Sequence, residues 1–217
     1  KQPNRPSEQE VQEHEKTHLP FRDWCEHCVR GRARNDPHCR KDKSDREVNT
    51  VSVDYMYLKE ETGNKIRPAQ IVGEGMPILV VYDSRVAQGS GTVLATVVPQ
   101  KGECEYAVKR LGQDLRDLLG YDKFILKHDQ EPALANLVER AVQLVGKQVI
   151  KEESPVGESA SNGEIESAVG RVQGQCRTIR SDTETAYGNK IKPEHPSLPW
   201  IVRHASLTMT RYEVGTD

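Results

Sequence analysis

No apolar run in this chain approaches the roughly 20 residues needed to cross a bilayer, so a helical membrane span is not expected. Large aromatics are scarce, with two Trp and two Phe among 217 residues. Hydrophobic residues make up 35%, enough for one sizeable core and a small accessory module. There is no surplus of basic charge: 31 Lys and Arg face 33 Asp and Glu, for a net charge of −2. Any affinity for polyanions must therefore come from local patches. Cysteine is sparse and odd in number, at positions 25, 28, 39, 104 and 176. That count and the close Cys25-x-x-Cys28 pair argue against a secreted disulfide framework and for a reducing compartment. No internal repeat is visible. An initiating Met is missing, and Lys1 to Pro6 does not read as a secretory signal. The chain is expected to be a piece of a longer polypeptide.

Two basic stretches are present. Cys28 to Lys43 carries six Lys/Arg against two Asp, and Arg171 to Lys192 carries five against one Asp and one Glu. Either suits a phosphate-binding surface, and either is equally well read as an unevenly charged, solvated face. Residues 1–46 are polar, basic and rich in His and Cys, whereas residues 47–217 have the pattern of a globular α/β domain. Strands are predicted over 48–58, 76–83 and 91–99, with a Gly-, Pro- and charge-rich insertion over 59–75. Cys104, Ala107, Val108, Leu111, Leu115 and Leu118 recur at helical spacing. A short strand over 124–128, a helix opened by Pro132 and closed by Gly146, and a strand over 147–151 follow. After a small-residue loop over 157–163, helices are predicted over 164–180 and 199–212. Three leading strands can form an antiparallel meander, and later strands must return through helices and pair in parallel. The predicted fold is a mixed five-stranded sheet with helices on its faces.

Three carboxylates stand out. Asp54 sits inside the apolar run Val51 to Leu58, and Asp129 closes the run Phe124 to Asp129. Taken alone, an Asp in a strand is usually an edge or hydrogen-bonded core residue. Together, on neighbouring strands, the two would converge, repel one another and favour a neutralising cation. Glu166 opens the helix that follows Asn162 and Gly163, with Glu164 as a rival two residues earlier. On that helix Ile165, Val169, Val172, Cys176 and Ile179 form an apolar stripe. Glu166, Gln173, Arg177 and Arg180 form the adjacent polar one. A cage of three carboxylates suits a hard divalent cation and two-metal phosphoryl transfer. An ordinary amphipathic helix explains the stripes nearly as well.

A second constellation lies near the N-terminus. Ser7 can cap a helix that carries His14 and His18 on one face, ended by Pro20. With Cys25 and Cys28 these give four ligands for tetrahedral zinc, and His27, His38 and Cys39 are possible substitutes. His14-Glu15-x-x-His18 also matches a zinc-protease motif. Its polar flanks and abrupt end favour a structural site. Cys104 and Cys176 read as plain core residues.

These residues resemble the integrases of retroviruses and long-terminal-repeat retrotransposons, most closely the copia type. Thirty-six residues separate Asp129 from Glu166 (166 − 129 − 1), close to that family's spacing. Asn162-Gly163-x-x-Glu166 resembles its glutamate motif, and Leu198 to His204 its final core helix. His14, His18, Cys25 and Cys28 are similar to the zinc module that precedes such cores. The departures are Gln130-Glu131-Pro132 after Asp129, the 74-residue gap between the aspartates (129 − 54 − 1), and only six residues between His18 and Cys25. The resemblance implies an RNase H-like core with Asp54, Asp129 and Glu166 as catalytic ligands of Mg²⁺ or Mn²⁺, and Glu166 is preferred to Glu164 on the motif. It further implies DNA contacts by Asn162, Arg171, Arg177 and Arg180, and Zn²⁺ in the N-terminal module. The partners implied are retroelement DNA ends, target DNA and further copies of the chain, in the nucleus or a cytoplasmic particle. An RNase H-like nuclease that does not join ends, and a decayed or domesticated nucleic-acid-binding protein, are the rival readings.

Overall fold

Alternate residues of a strand face opposite sides, and in the first strand both sides are covered, one by way of Val51, Val53 and Tyr55 and the other by way of Thr50, Ser52, Asp54 and Met56. Val51, Val53 and Tyr55 belong to one buried cluster and Met56 to another. This strand, β1 (Thr50–Met56), lies at the centre of a five-stranded sheet with β2 (Ile78–Asp83), β3 (Thr92–Val97), β4 (Lys123–His128) and β5 (Gln148–Glu153). The computed structural model describes residues 6–31, 48–58, 75–84, 91–153, 162–192 and 195–212. The strand order is β3-β2-β1-β4-β5. The pairs β1–β2 and β2–β3 are antiparallel, and β1–β4 and β4–β5 are parallel. A meander followed by two helix-linked parallel strands, with helices on both faces, is the RNase H-like arrangement expected from the sequence.

On one face, α3 (Glu105–Gln113) and α4 (Pro132–Val145) bury Leu111, Leu115, Leu134, Leu137 and Val138 against β1, β2 and β4. On the other, α5 (Gly163–Tyr187) and α6 (Leu198–Tyr212) pack Ile165, Val172, Ile201 and Val202 against Ile78, Val80 and Val93. Helix α6 also shields the edge strand. The backbone N–H of Val93 donates to Thr210 Oγ1 at 3.0 Å, and that hydroxyl donates to Val93 O at 2.7 Å. Around the same edge, Arg203 makes a two-pronged contact with buried Asp114, at 3.0 and 3.2 Å.

Several boundaries differ from expectation for identifiable reasons. Helix α3 widens into a π turn over Asp114–Leu119. One extra residue per turn shifts the apolar phase, so Leu119 is buried and Leu118, expected inside, is exposed. Cys104 is not on the helix face; it is the N-cap of α3, its sulfur accepting the Ala107 N–H at 3.4 Å. Helix α5 runs seven residues past its expected end at 180 and stops at Gly188, whose φ of 68° suits glycine. The insertion over 59–74, most of the loop over 157–163 and the boundary expected at residue 46 lie outside the described residues.

The N-terminal segment folds onto the core. Ser7 caps α1 (Glu8–Glu15) in a reciprocal capping box with Glu10. Leu19 joins the α5–α6 apolar cluster, and α2 (Glu26–Gly31) lies along α5. Gly31 makes that approach possible. A Cβ there would stand 2.0 Å from Thr178 Oγ1 and 2.8 Å from Gly174 O. Gly31→Ala should therefore force the helices apart at a cost of about 1–3 kcal/mol, the usual range for overpacking. The variant is predicted to melt several degrees lower and to be cut by protease within 6–31 before the core. An unchanged melting temperature would contradict this packing.

Candidate functional site

The parallel pairing of β1 with β4 sets Ser52 opposite Lys127, an offset of 75 residues (127 − 52). The same offset aligns Asp54 with Asp129 (129 − 54), one residue past the end of β4. The half-buried Asp54 carboxylate accepts the Tyr55 N–H at 2.7 Å. Burial pushes its pKa up to about 6 against that hydrogen bond, and the charges of Asp129 and Glu131 push the same way. Asp129 Oδ1 accepts the Glu131 N–H at 3.0 Å, which shapes the turn into α4.

A cation stands beside this acidic group. Lys101 Nζ lies 2.8 and 2.9 Å from the two Glu131 oxygens and over the rings of Tyr55 and Tyr57, at 5.2 and 5.7 Å. Burial is the largest influence and opposes its charge, but the hydrogen bond to Glu131 and the charges of Glu131 and Asp54 together outweigh it and raise the pKa. The loop that carries it is latched to β1 by the Gly102 N–H, which donates to Tyr55 Oη at 3.0 Å. Sequence reasoning missed Lys101, because nothing local to residue 101 announces a partner 30 residues away.

Helix α5 meets the same end of β1 through its middle turns. Ile165 is buried in the cluster that holds Met56, and Gln173 Nε2 donates to Tyr57 O at 3.3 Å. Glu166 is exposed in the first turn and Glu164 is half-buried. Asp54 and Asp129 are thus brought together, while the described residues do not close Glu166 with them into a three-ligand group. The oxygen-only donors and the raised Asp54 carboxyl nevertheless fit a hard divalent cation.

The predicted DNA contacts have structural partners. Arg177 Nε donates to Gly31 O at 3.1 Å, and Arg180 Nε donates to Glu184 at 2.9 Å. The Arg171 guanidinium lies 5.7 Å over the Tyr82 ring. Asn162 is the N-cap of α5. The polar stripe therefore clamps the N-terminal segment as well as facing outward.

His14, His18, Cys25 and Cys28 are all buried, with one ligand atom from each lying within 4.8 Å of the others. Cys28 Sγ is 3.3 Å from His14 Nε2, and Cys25 Sγ is 3.6 Å from His18 Nδ1. The zinc–sulfur and zinc–nitrogen bond lengths give a tetrahedral S–N edge of about 3.6 Å, so the donors fit zinc. Burial holds the His18 imidazole below its usual pKa, against the pull of Asp182, and favours the neutral ring that a metal needs. The helix does not carry both histidines as expected. It ends at Glu15, and His18 follows with φ 55°, its N–H donating to His14 O at 2.6 Å. That turn swings His18 into the cluster. Four buried ligands leave no open position, and Glu15 is exposed, so the arrangement suits a structural site and not a protease. His27 is not part of this set: its Nδ1 is 3.1 Å from Ser181 Oγ and its Nε2 3.4 Å from Asp182. His38 and Cys39 lie outside the described residues. Cys176 is a core residue, its thiol pushed up to about 12 by burial.

No protein-family model and no curated protein matches the sequence. Among solved structures, the chain is similar to the catalytic core domain of BIV integrase, with 15% identity, a TM-score of 0.44, and 77% of this chain and 86% of that one covered. It is also similar to a chain of the simian T-cell lymphotropic virus intasome in complex with PP2A regulatory subunit B56 gamma, with 15% identity, a TM-score of 0.42, and coverage of 77% and 50%. The Mos1 strand transfer complex gives 10% identity, a TM-score of 0.32, and coverage of 74% and 52%.

The electrostatics around Asp54 predict a pH-dependent stability. Its folded pKa of about 6 lies above the unfolded value of about 3.9. The stability it allows is thus fully present below about pH 4 and lost as pH rises through 6. Asp54→Asn removes that loss. In magnesium-free buffer without chelator, the variant should be more stable than the wild type by about 1–3 kcal/mol at pH 7.5, and the difference should vanish near pH 4. A pH-independent difference in denaturant melts would overturn this account.

Proposed function

We propose that this chain is the metal module and catalytic core of an integrase-type polynucleotidyl transferase from a copia-like retroelement. The observation that carries the reading is the alignment of Asp54 with Asp129 at the ends of adjacent parallel strands, where burial and mutual charge raise the Asp54 carboxyl. In this reading Asp54, Asp129 and Glu166 hold Mg²⁺ or Mn²⁺, which supplies charge neutralisation to an in-line displacement at phosphorus. Glu166 comes from the exposed first turn of α5. Water attacks a phosphodiester near the 3′ end of the element, breaking its bond to the 3′ oxygen and releasing the terminal nucleotides with a 5′ phosphate; the freed 3′ hydroxyl then attacks a target phosphodiester and displaces that strand's own 3′ oxygen. Lys101, beside the carboxylates, is placed to receive a phosphate oxygen, while Arg171, Arg177, Arg180 and Asn162 line the approach of the DNA backbone. His14, His18, Cys25 and Cys28 hold a structural zinc. The functional form is an oligomer that brings two DNA ends together.

The test is a strand-transfer assay with preprocessed DNA ends in Mg²⁺ or Mn²⁺. The wild type should join ends to target DNA; cleavage without joining would favour the nuclease reading. Asp54→Asn and Asp129→Asn should abolish both reactions while keeping the fold, as read by circular dichroism. Retained activity in either variant would sink the carboxylate assignment. Glu166→Gln should eliminate catalysis, whereas Glu164→Gln should keep most of it, because residues two apart on a helix point about 200° apart. The reverse pattern would transfer the role to Glu164.

The metal module yields a separate expectation. One zinc ion per chain should co-purify, and Cys25→Ser or His18→Ala should release it. Finding no zinc by elemental analysis of chelator-free protein would refute the metal reading without touching the carboxylates.

A further inference from the structure

The two imidazoles of the cluster are presented differently. His14 offers Nε2 to Cys28, whereas His18 offers Nδ1 to Cys25. For His18 the reason lies on α5. Its other ring nitrogen, Nε2, faces Asp182 Oδ2 at 3.6 Å, and the second Asp182 oxygen lies 3.4 Å from His27 Nε2. The far side of the His27 ring meets Ser181 Oγ at 3.1 Å. One carboxylate on the core helix therefore spans a candidate ligand and a neighbouring histidine of the N-terminal module.

A neutral imidazole carries one proton, and a carboxylate facing one ring nitrogen draws the proton there. The opposite nitrogen then keeps its lone pair for a metal, and the carboxylate makes that lone pair more basic. The turn at His18, with φ 55°, brings the backbone close to the cluster. Nδ1, the nitrogen nearer the backbone, is accordingly the one that reaches. Geometry and proton placement agree on the same tautomer.

We propose that Asp182 is a positioning residue for the metal module. It fixes His18 as an Nδ1 ligand from outside the module, so that metal affinity depends on a side chain of the catalytic core. This inference rests on the zinc reading above.

The experiment measures zinc affinity of the full chain by chelator competition, together with ¹⁵N-histidine spectra that report which ring nitrogen carries the metal. Asp182→Ala should weaken zinc binding by about 10–100-fold, the usual effect of losing an outer-shell partner. Asp182→Asn, which keeps an oxygen able to accept from Nε2–H, should lose less. Thr185→Ala is the control: it removes an exposed contact with Ser181 O on the same helix without touching a ligand, and should stay within about threefold of wild type. In the wild type, His18 should be metallated at Nδ1. The proposal is overturned if Asp182→Ala and Asp182→Asn both match wild type, if Thr185→Ala weakens binding as much as Asp182→Ala, or if His18 binds through Nε2. A wild-type chain that binds no zinc would instead overturn the metal reading itself, and this inference with it.

Discussion

The parallel register between β1 and β4 sets Asp54 and Asp129 side by side at the centre of the sheet. Like charges at that separation, one of them half-buried, are costly. The surroundings answer in ways visible in the structure. The Tyr55 N–H is spent on Asp54, the Glu131 N–H on Asp129, and Lys101 is held over two tyrosine rings where it neutralises Glu131. These devices lessen the repulsion without cancelling it, because the Asp54 carboxyl remains well above its ordinary range. A sheet that only needed to be stable could have placed an apolar residue at either position.

Helix α5 is the second constraint, since it serves the sheet and the N-terminal segment together. Ile165, Val172 and Cys176 face the sheet-side cluster. Gln175, Arg177, Ser181 and Asp182 meet Thr17, Gly31, His27 and His18 on the other side. This dual duty explains why α5 has polar residues such as Gln175 and Thr178 fully buried. They satisfy backbone carbonyls, as Gln175 does for Thr17 O at 2.6 Å and Thr178 for Gly174 O at 3.0 Å, so burial leaves no orphaned group there.

Local signals carried most of the fold. Pro132 and Gly146 bracket α4 because proline suits a first helical turn and glycine a left-handed cap. The apolar runs of β1, β2 and β3 are buried on both faces, and their meander follows from short sequence separation. What escaped depended on contacts distant in sequence or on departures from ideal periodicity. The π turn over Asp114–Leu119 exchanged Leu118 for Leu119, which no 3.6-residue template can anticipate. The last two turns of α5 have no apolar stripe. Thr183 and Thr185 bond back to the carbonyls of Ile179 and Ser181, and Ser181 and Asp182 meet His27, over 150 residues earlier. The four cluster ligands were readable because residue type and spacing alone suggest zinc. The path that unites them, with His18 outside the helix, was not.

In the proposed reading, with Glu166 beside the aspartates, the two constellations are too far apart to share chemistry. Glu166 and Asp182 are sixteen residues apart on α5 (182 − 166), which at 1.5 Å per residue is about 24 Å. Helix α5 is the element that touches the N-terminal segment and the sheet along most of its length. Each residue turns the helix by about 100°, so a one-residue slip of α5 against the sheet would carry Ile165 out of its apolar cluster and re-aim Glu166. Apolar packing resists such a slip at the N-terminal half of the helix. At the other half, Cys176 and Ile179 are joined by Arg177 on Gly31, Gln175 on Thr17 and Asp182 between two histidines. Locking both halves fixes the face that α5 presents along its whole length, and the position of the Glu166 carboxylate follows from it.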